Sequence, residues 1–158
     1  MLVFSLYRGS EASCEGTHLF SVERSKNRNL LFYDICPDGS SDLPDLNAVN
    51  VYWILENGKK EELNDIERTY AYGITFQEKL ERNKLIIALA AFRGRKITIE
   101  RIDERYRAVT SIDNRQIVIE KVFINSVDRL FGMPEVLSID IYGFTKPGNV
   151  PVRERISP

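Results

Sequence analysis

Apolar and polar residues alternate along most of this chain with a period of two, the pattern of strands that bury one face and wet the other. In Val49 to Leu55, Val49, Val51, Trp53 and Leu55 share one face, while Asn50, Tyr52 and Ile54 share the other. That segment reads as a strand with Trp53 in the core. Asn57-Gly58 follows it, and because both central positions of a type I′ turn need positive φ, the dipeptide predicts a hairpin. Leu85 to Phe92, Lys96 to Ile102, Tyr106 to Ile112, Gln116 to Ile124 and Val136 to Phe144 are further strands, rich in β-branched and aromatic residues. The first four are separated by Arg93-Gly94-Arg95, Asp103-Glu104-Arg105 and Asp113-Asn114-Arg115. Breaks that short cannot hold a crossover, so these strands are expected to pair as an antiparallel meander.

Nearer the amino end, Thr17 to Arg24 and Leu30 to Ile35 flank the polar run Ser25 to Asn29 and read as another hairpin. One stretch departs from the alternation. In Glu61 to Tyr72, Leu63, Ile66 and Tyr70 recur at helical spacing, acidic residues crowd the first half, and Gly73 stands where a helix would stop. The expected architecture is therefore mainly β: an antiparallel two-sheet β-sandwich, or alternatively a flattened up-and-down β-barrel, with one short helix at Glu61 to Tyr72. Residues 1–16 read as an N-terminal extension and residues 17–158 as a single β domain. The loop-like segments Asp38 to Asp45 and Pro147 to Pro151 do not resemble interdomain linkers.

Composition narrows the classes. The chain has 158 residues, 22 basic and 23 acidic, with a formal net charge of -1 and 43% hydrophobic residues. A chain near this length buries roughly 68–70% of its unfolded surface, so its core needs neither metal nor disulfide. The near-neutral balance lacks the basic excess of a nucleic-acid binder. No run approaches the roughly eighteen apolar residues of a transmembrane helix. In the apolar start Met1 to Tyr7, the first positive charge, Arg8, comes after the apolar run, the wrong order for a signal peptide. Compartment therefore stays open: extracytoplasmic if an export signal has been removed, cytoplasmic otherwise.

With one histidine, His18, and two cysteines, Cys14 and Cys36, the chain owns three isolated zinc-type ligands, one short of a structural site. No metal and no cofactor is expected. His18 sits in a strand with no motif around it and reads as an ordinary histidine. Cys14 and Cys36 are either a disulfide closing the first hairpin or two reduced thiols. The acidic loop Asp34 to Asp45 fits no EF-hand spacing and reads as a turn. The basic stretch Arg93 to Arg107 reads as charge protecting hairpin tips and edges, with Tyr106 the one aromatic available for stacking on a base.

The most informative grouping joins directional polar groups to flat aromatics: Arg24, Asn27, Asn29, Tyr33, Asp34 and Tyr72. That combination suits a small polar or carbohydrate-like ligand held by hydrogen bonds and ring packing. The same residues have structural readings, since asparagine serves tight turns and Glu23 with Arg24 can form an ion pair. A second function class is a carboxylate-based hydrolase, for which Glu23, Asp34 and Glu67 are the only grouping to name. A third is an interaction or assembly domain that uses an exposed edge strand or apolar patch. Oligomeric state is not readable from the residues.

The run His18 to Asn29, the Tyr33-Asp34 that follows, Val51-Tyr52-Trp53, and the Leu63 to Gly73 segment ending Ala71-Tyr72-Gly73 together resemble an uncharacterised, mainly bacterial domain-of-unknown-function family, many of whose members look exported. The resemblance runs from about Thr17 to the carboxyl end. It implies one whole-chain domain and carries no assigned activity.

Overall fold

The computed structural model describes residues 17–36, 43, 48–132 and 134–157. Eleven strands follow one another among these residues: β1 (Thr17–Arg24), β2 (Asn27–Ile35), β3 (Val49–Ile54), β4 (Lys60–Glu62), β5 (Ile74–Glu81), β6 (Lys84–Leu89), β7 (Phe92–Ile102), β8 (Arg105–Ile112), β9 (Arg115–Val127), β10 (Glu135–Thr145) and β11 (Pro151–Ile156). A single π-helical turn, Glu67–Ala71, lies between β4 and β5. Mainly β is correct, but the expected separate sheets of a sandwich are not found. The strands form one hydrogen-bonded sheet, in the order β4-β3-β2-β1-β9-β8-β7-β6-β5, with β10 and β11 branching from β9. This sheet curls into a half-barrel.

The reason is β9, which is 13 residues long. Along one edge, Arg115 to Val118 pairs antiparallel with β8, and then Lys121 to Ile124 pairs with β1 in parallel. The opposite edge takes β10. One strand thus joins two wings, β1–β4 and β5–β8, and the parallel pair makes the sheet mixed where pure antiparallel pairing was expected. The changeover coincides with a register shift in the β9–β10 ladder at Tyr142/Gly143, a bulge that turns the strand. Gly143 is required there, because a Cβ would sit 2.1 Å from the Val118 carbonyl oxygen.

The meander β6–β7–β8–β9 pairs antiparallel as anticipated, but its first turn is displaced. Ala90 and Ala91 make it, and Arg93-Gly94-Arg95 lies inside β7. The displacement has a tertiary cause: Ala90 and Ala91 donate backbone hydrogen bonds to the carbonyls of Gly73 and Ala71, which pins the turn beneath the π-helical turn. The next two turns carry positive φ at Asp103 and Glu104 and at Asp113 and Asn114, the signature of type I′ geometry. At Asn57-Gly58 only Gly58 has positive φ, and the loop closes through Leu55 and Lys59 instead.

The expected helix at Glu61 to Tyr72 is replaced by β4 and the π-helical turn. Leu63 is buried, but Ile66 and Tyr70 are 63% and 68% exposed, so no continuous apolar stripe exists for a helix to bury. Besides β4, two strands escaped the pattern. β5 is an exposed edge with little alternation, and β11 is short and begins at Pro151.

Both wings share one core. Phe20, Leu31, Tyr33 and Trp53 cluster with Leu85, Ile87, Ile99, Ile117 and Ile141, and Phe20 stacks on Tyr33 with centroids 4.5 Å apart. Each such side chain contributes about 1.5–3 kcal/mol on burial. Cys36 is disulfide-bonded. Cys14, residues 1–16 generally, and all of Asp38 to Asp45 except Leu43 lie outside the described residues.

Candidate functional site

On β1, Phe20 and Val22 face the core, and the period of the strand carries Arg24 to the same face one step further on. On β3, Trp53 takes the corresponding inward place, buried like Val51 before it. A guanidinium therefore lies at the rim of an apolar interior. It rests over the Trp53 ring, 4.4 Å from the centroid, and 6.0 Å from the Tyr72 centroid. Nη1 donates to the Tyr72 hydroxyl at 3.5 Å and Nη2 to Asn27 Oδ1 at 3.4 Å, both long. Nε is buried with no partner. Among the described residues, no carboxylate pairs with it.

Tyr72 is held from several sides. Its ring meets Trp53 edge-on, with centroids 5.4 Å apart at 85°. Its carbonyl accepts a 2.7 Å hydrogen bond from the Tyr33 hydroxyl. Tyr33 is fully buried, and that burial, with Tyr72 adding to it, pushes its phenol well above the ordinary range. Trp53 Nε1 donates to Glu67 at 2.5 Å, Asn64 Oδ1 accepts from the Glu67 backbone at 2.8 Å, and the Tyr72 backbone donates to the Glu67 carbonyl. Gly73 closes the turn where a Cβ would meet the Arg68 carbonyl oxygen at 1.9 Å.

Arg24 and Tyr72 stand at the mouth of a cleft of about 450 Å³ whose other walls include Phe92, Ile124, Val136, Ile139 and Ile156. Ala71, Tyr72, Ala91, Phe92, Ile124 and Ile139 also line a smaller, more enclosed space of about 60 Å³ that reaches inward to Ile97, Ile119 and Ile141. The two adjoin between β9–β10–β11 and the π-helical turn, and together they are called the lumen. Lys26 is also at the mouth, ion-paired to Asp128 at 3.3 Å.

The sequence-derived site residues divide accordingly. Arg24, Asn27, Tyr33 and Tyr72 are linked by contacts, with Tyr33 supporting Tyr72 from within the core. Asn27 Oδ1 also accepts from the Asn29 backbone, and Asn29 Oδ1 accepts from the Glu56 backbone, so both asparagines fasten the β1–β2 end. Asp34 neighbours Tyr33 on β2 and therefore faces the other way. There it accepts from Tyr52 and pairs with His18 Nδ1 at 2.8 Å. Burial, followed by that Asp34 contact, raises the Tyr52 phenol. Glu23 pairs with Lys121 at 3.6 Å, and Glu67 holds Trp53, so the three candidate carboxylates serve three different partners. Among the described residues, no group of three or more His, Cys, Asp or Glu is placed to hold a metal ion, and no helix is long and apolar enough to cross a membrane.

The lumen walls Phe92, Ile124, Ile139 and Ile156 were missed as site residues, because an apolar strand position looks the same whether it fills a core or lines a cavity. The His18–Asp34 pair was missed because its partners are 16 positions apart. The family model described as domain of unknown function DUF4833 matches residues 20–155. The chain belongs to that family. The DUF4833 match takes in Arg24, Tyr33, Trp53 and Tyr72, and leaves His18 and Ile156 just outside it. No curated protein and no solved structure matches the chain.

Proposed function

We propose that this DUF4833 chain is a non-enzymatic binding module whose small ligand enters the lumen and docks a hydrogen-bond-accepting group on Arg24 and Tyr72. One observation carries the reading: a partly buried guanidinium with an unpartnered Nε and no carboxylate stands at the mouth of a cleft large enough for a small molecule. A buried charge without a counter-charge is costly, and a ligand oxygen would relieve that cost. An acidic sugar and a simple carboxylate both offer such an oxygen. Thermal-shift titrations with hexanoate, glucuronate and glucose test it. At least one of the two acids should raise the melting temperature of the wild type, with Arg24→Ala abolishing the shift while keeping the unliganded melting temperature within a few degrees. Equal shifts in wild type and Arg24→Ala would refute the reading.

A second reading, an interaction surface, has a separate observation in its favour. Leu130 and Phe131, in the β9–β10 connection, are 94% and 92% exposed, and exposed apolar groups of this size favour partner contact when they cluster. If they join copies of this chain, light scattering should find an oligomer that Leu130→Ser/Phe131→Ser dissolves. A monomer at all concentrations would remove self-assembly.

A further inference from the structure

The space behind Arg24 restricts the ligand further, and this step rests on the binding reading above. Past its polar mouth the lumen is hydrocarbon, faced by Phe92, Ile97, Ile119, Ile124, Ile139 and Ile141. The inward cation that borders it, Arg95, is already spent. Its Nη2 makes two bonds to Glu154, at 3.0 and 2.8 Å, and its Nη1 donates to the Ser111 carbonyl. A fully polar molecule reaching this depth would lose water from its hydroxyls and find no replacement partners. A fully apolar one would strip Arg24 of water and leave its charge without compensation. Both ends are satisfied together only by a molecule that is anionic at one end and hydrocarbon at the other.

The head group follows from the charge at the mouth. Arg24 is one uncompensated cation, since Lys26 is paired with Asp128. One positive charge matches a monoanion, and a planar guanidinium matches a carboxylate with two parallel hydrogen bonds. The inner space of about 60 Å³ beside the cleft of about 450 Å³ has room for a single slender chain and not for a branched or ring-fused one. We infer that the lumen binds a straight-chain alkyl carboxylate, its carboxylate on the Arg24 guanidinium and its chain running between β9–β10 and the β6–β7 turn.

Calorimetric titration of the full chain with hexanoate, octanoate, decanoate and dodecanoate, below their micellar concentrations, tests this. Each buried methylene should tighten binding about threefold to fourfold until the lumen is full. Arg24→Gln should weaken decanoate at least tenfold and leave 1-decanol within twofold. Val122→Phe, which adds bulk at a residue lining only the smaller space, should shorten the longest chain accepted while leaving hexanoate binding in place. If Val122→Phe does not fold, Ile139→Phe, which lines both spaces, serves the same purpose. Affinity that ignores chain length would overturn the inference, and if Arg24→Gln still abolished hexanoate binding the binding-module reading would survive alone. Chain-length dependence with no effect of Arg24→Gln would sink the Arg24 reading instead. Decyl phosphate binding tenfold tighter than decanoate would overturn the choice of carboxylate, and failure of every alkyl carboxylate to bind would overturn the proposal entirely.

Discussion

Two arginines face the same lumen from opposite wings, and they are treated differently. Arg95, on β7, is enclosed by a bidentate bond to Glu154 and a 2.6 Å bond to the Ser111 carbonyl. Arg24, on β1, has an aromatic face, two long bonds to neutral oxygens and an unpartnered Nε. The first guanidinium is a closed structural element that ties β7 to β11. The second is a charge kept in place by its surroundings but not neutralised by them. The contrast separates a group that holds the fold from one that is available to a ligand.

Substitutions on the two sides should therefore diverge. Arg95→Met leaves the partly buried Glu154 carboxylate without its Arg95 partner. Because the pair is 18% and 26% exposed, we expect a loss of about 2–3 kcal/mol in urea unfolding, below the range for fully buried pairs. Adding Glu154→Leu should recover most of it. At the other end, Gly73→Ala forces a methyl onto the Arg68 carbonyl and should cost about 2 kcal/mol. It should also loosen Tyr72, seen as a red shift of Trp53 emission, which is unambiguous because the chain has one tryptophan.

Tyr33→Phe orphans the Tyr72 carbonyl and should cost about 1–2 kcal/mol near neutral pH. The sign of its pH dependence follows from the raised Tyr33 phenol. In the unfolded chain the phenol ionises near 10, so the native preference for the neutral form is fully present below about pH 10 and is lost as pH rises through the higher folded value. The lead of wild type over Tyr33→Phe should shrink above about pH 10. Smallest of all, Arg24→Met should change stability by less than about 1 kcal/mol, since no ion pair is broken. A loss as large as that of Arg95→Met would place Arg24 among the structural groups.

Much of this arrangement was legible locally. The period-two pattern located β1, β2, β3, β8, β9 and β10, and the mix of cation, amide and phenol marked out Arg24, Asn27 and Tyr72. What could not be read is what depends on distant pairing. Ser21 to Arg24 lie beside Lys121 to Ile124 in parallel, and no local spacing announces a partner some hundred positions away. The turn at Ala90 and Ala91 is set by Ala71 and Gly73, not by the more turn-like Arg93-Gly94-Arg95. Asn29 and Asp34 have the chemistry of ligand donors, yet the first fastens a strand end and the second orients His18, because strand parity and cross-strand neighbours decide where each side chain is spent. The lumen itself was invisible, since its walls alternate like any buried face.

The direct measurement is a ¹H–¹⁵N spectrum of the arginine side chains during a decanoate titration. Arg24 Nε–H, assigned by its disappearance in Arg24→Gln, should move downfield and exchange more slowly with water as the carboxylate docks, while Arg95 Nε–H stays in place. An Arg24 resonance that remains fixed while decanoate binds would show that the uncompensated guanidinium is not where the ligand is held.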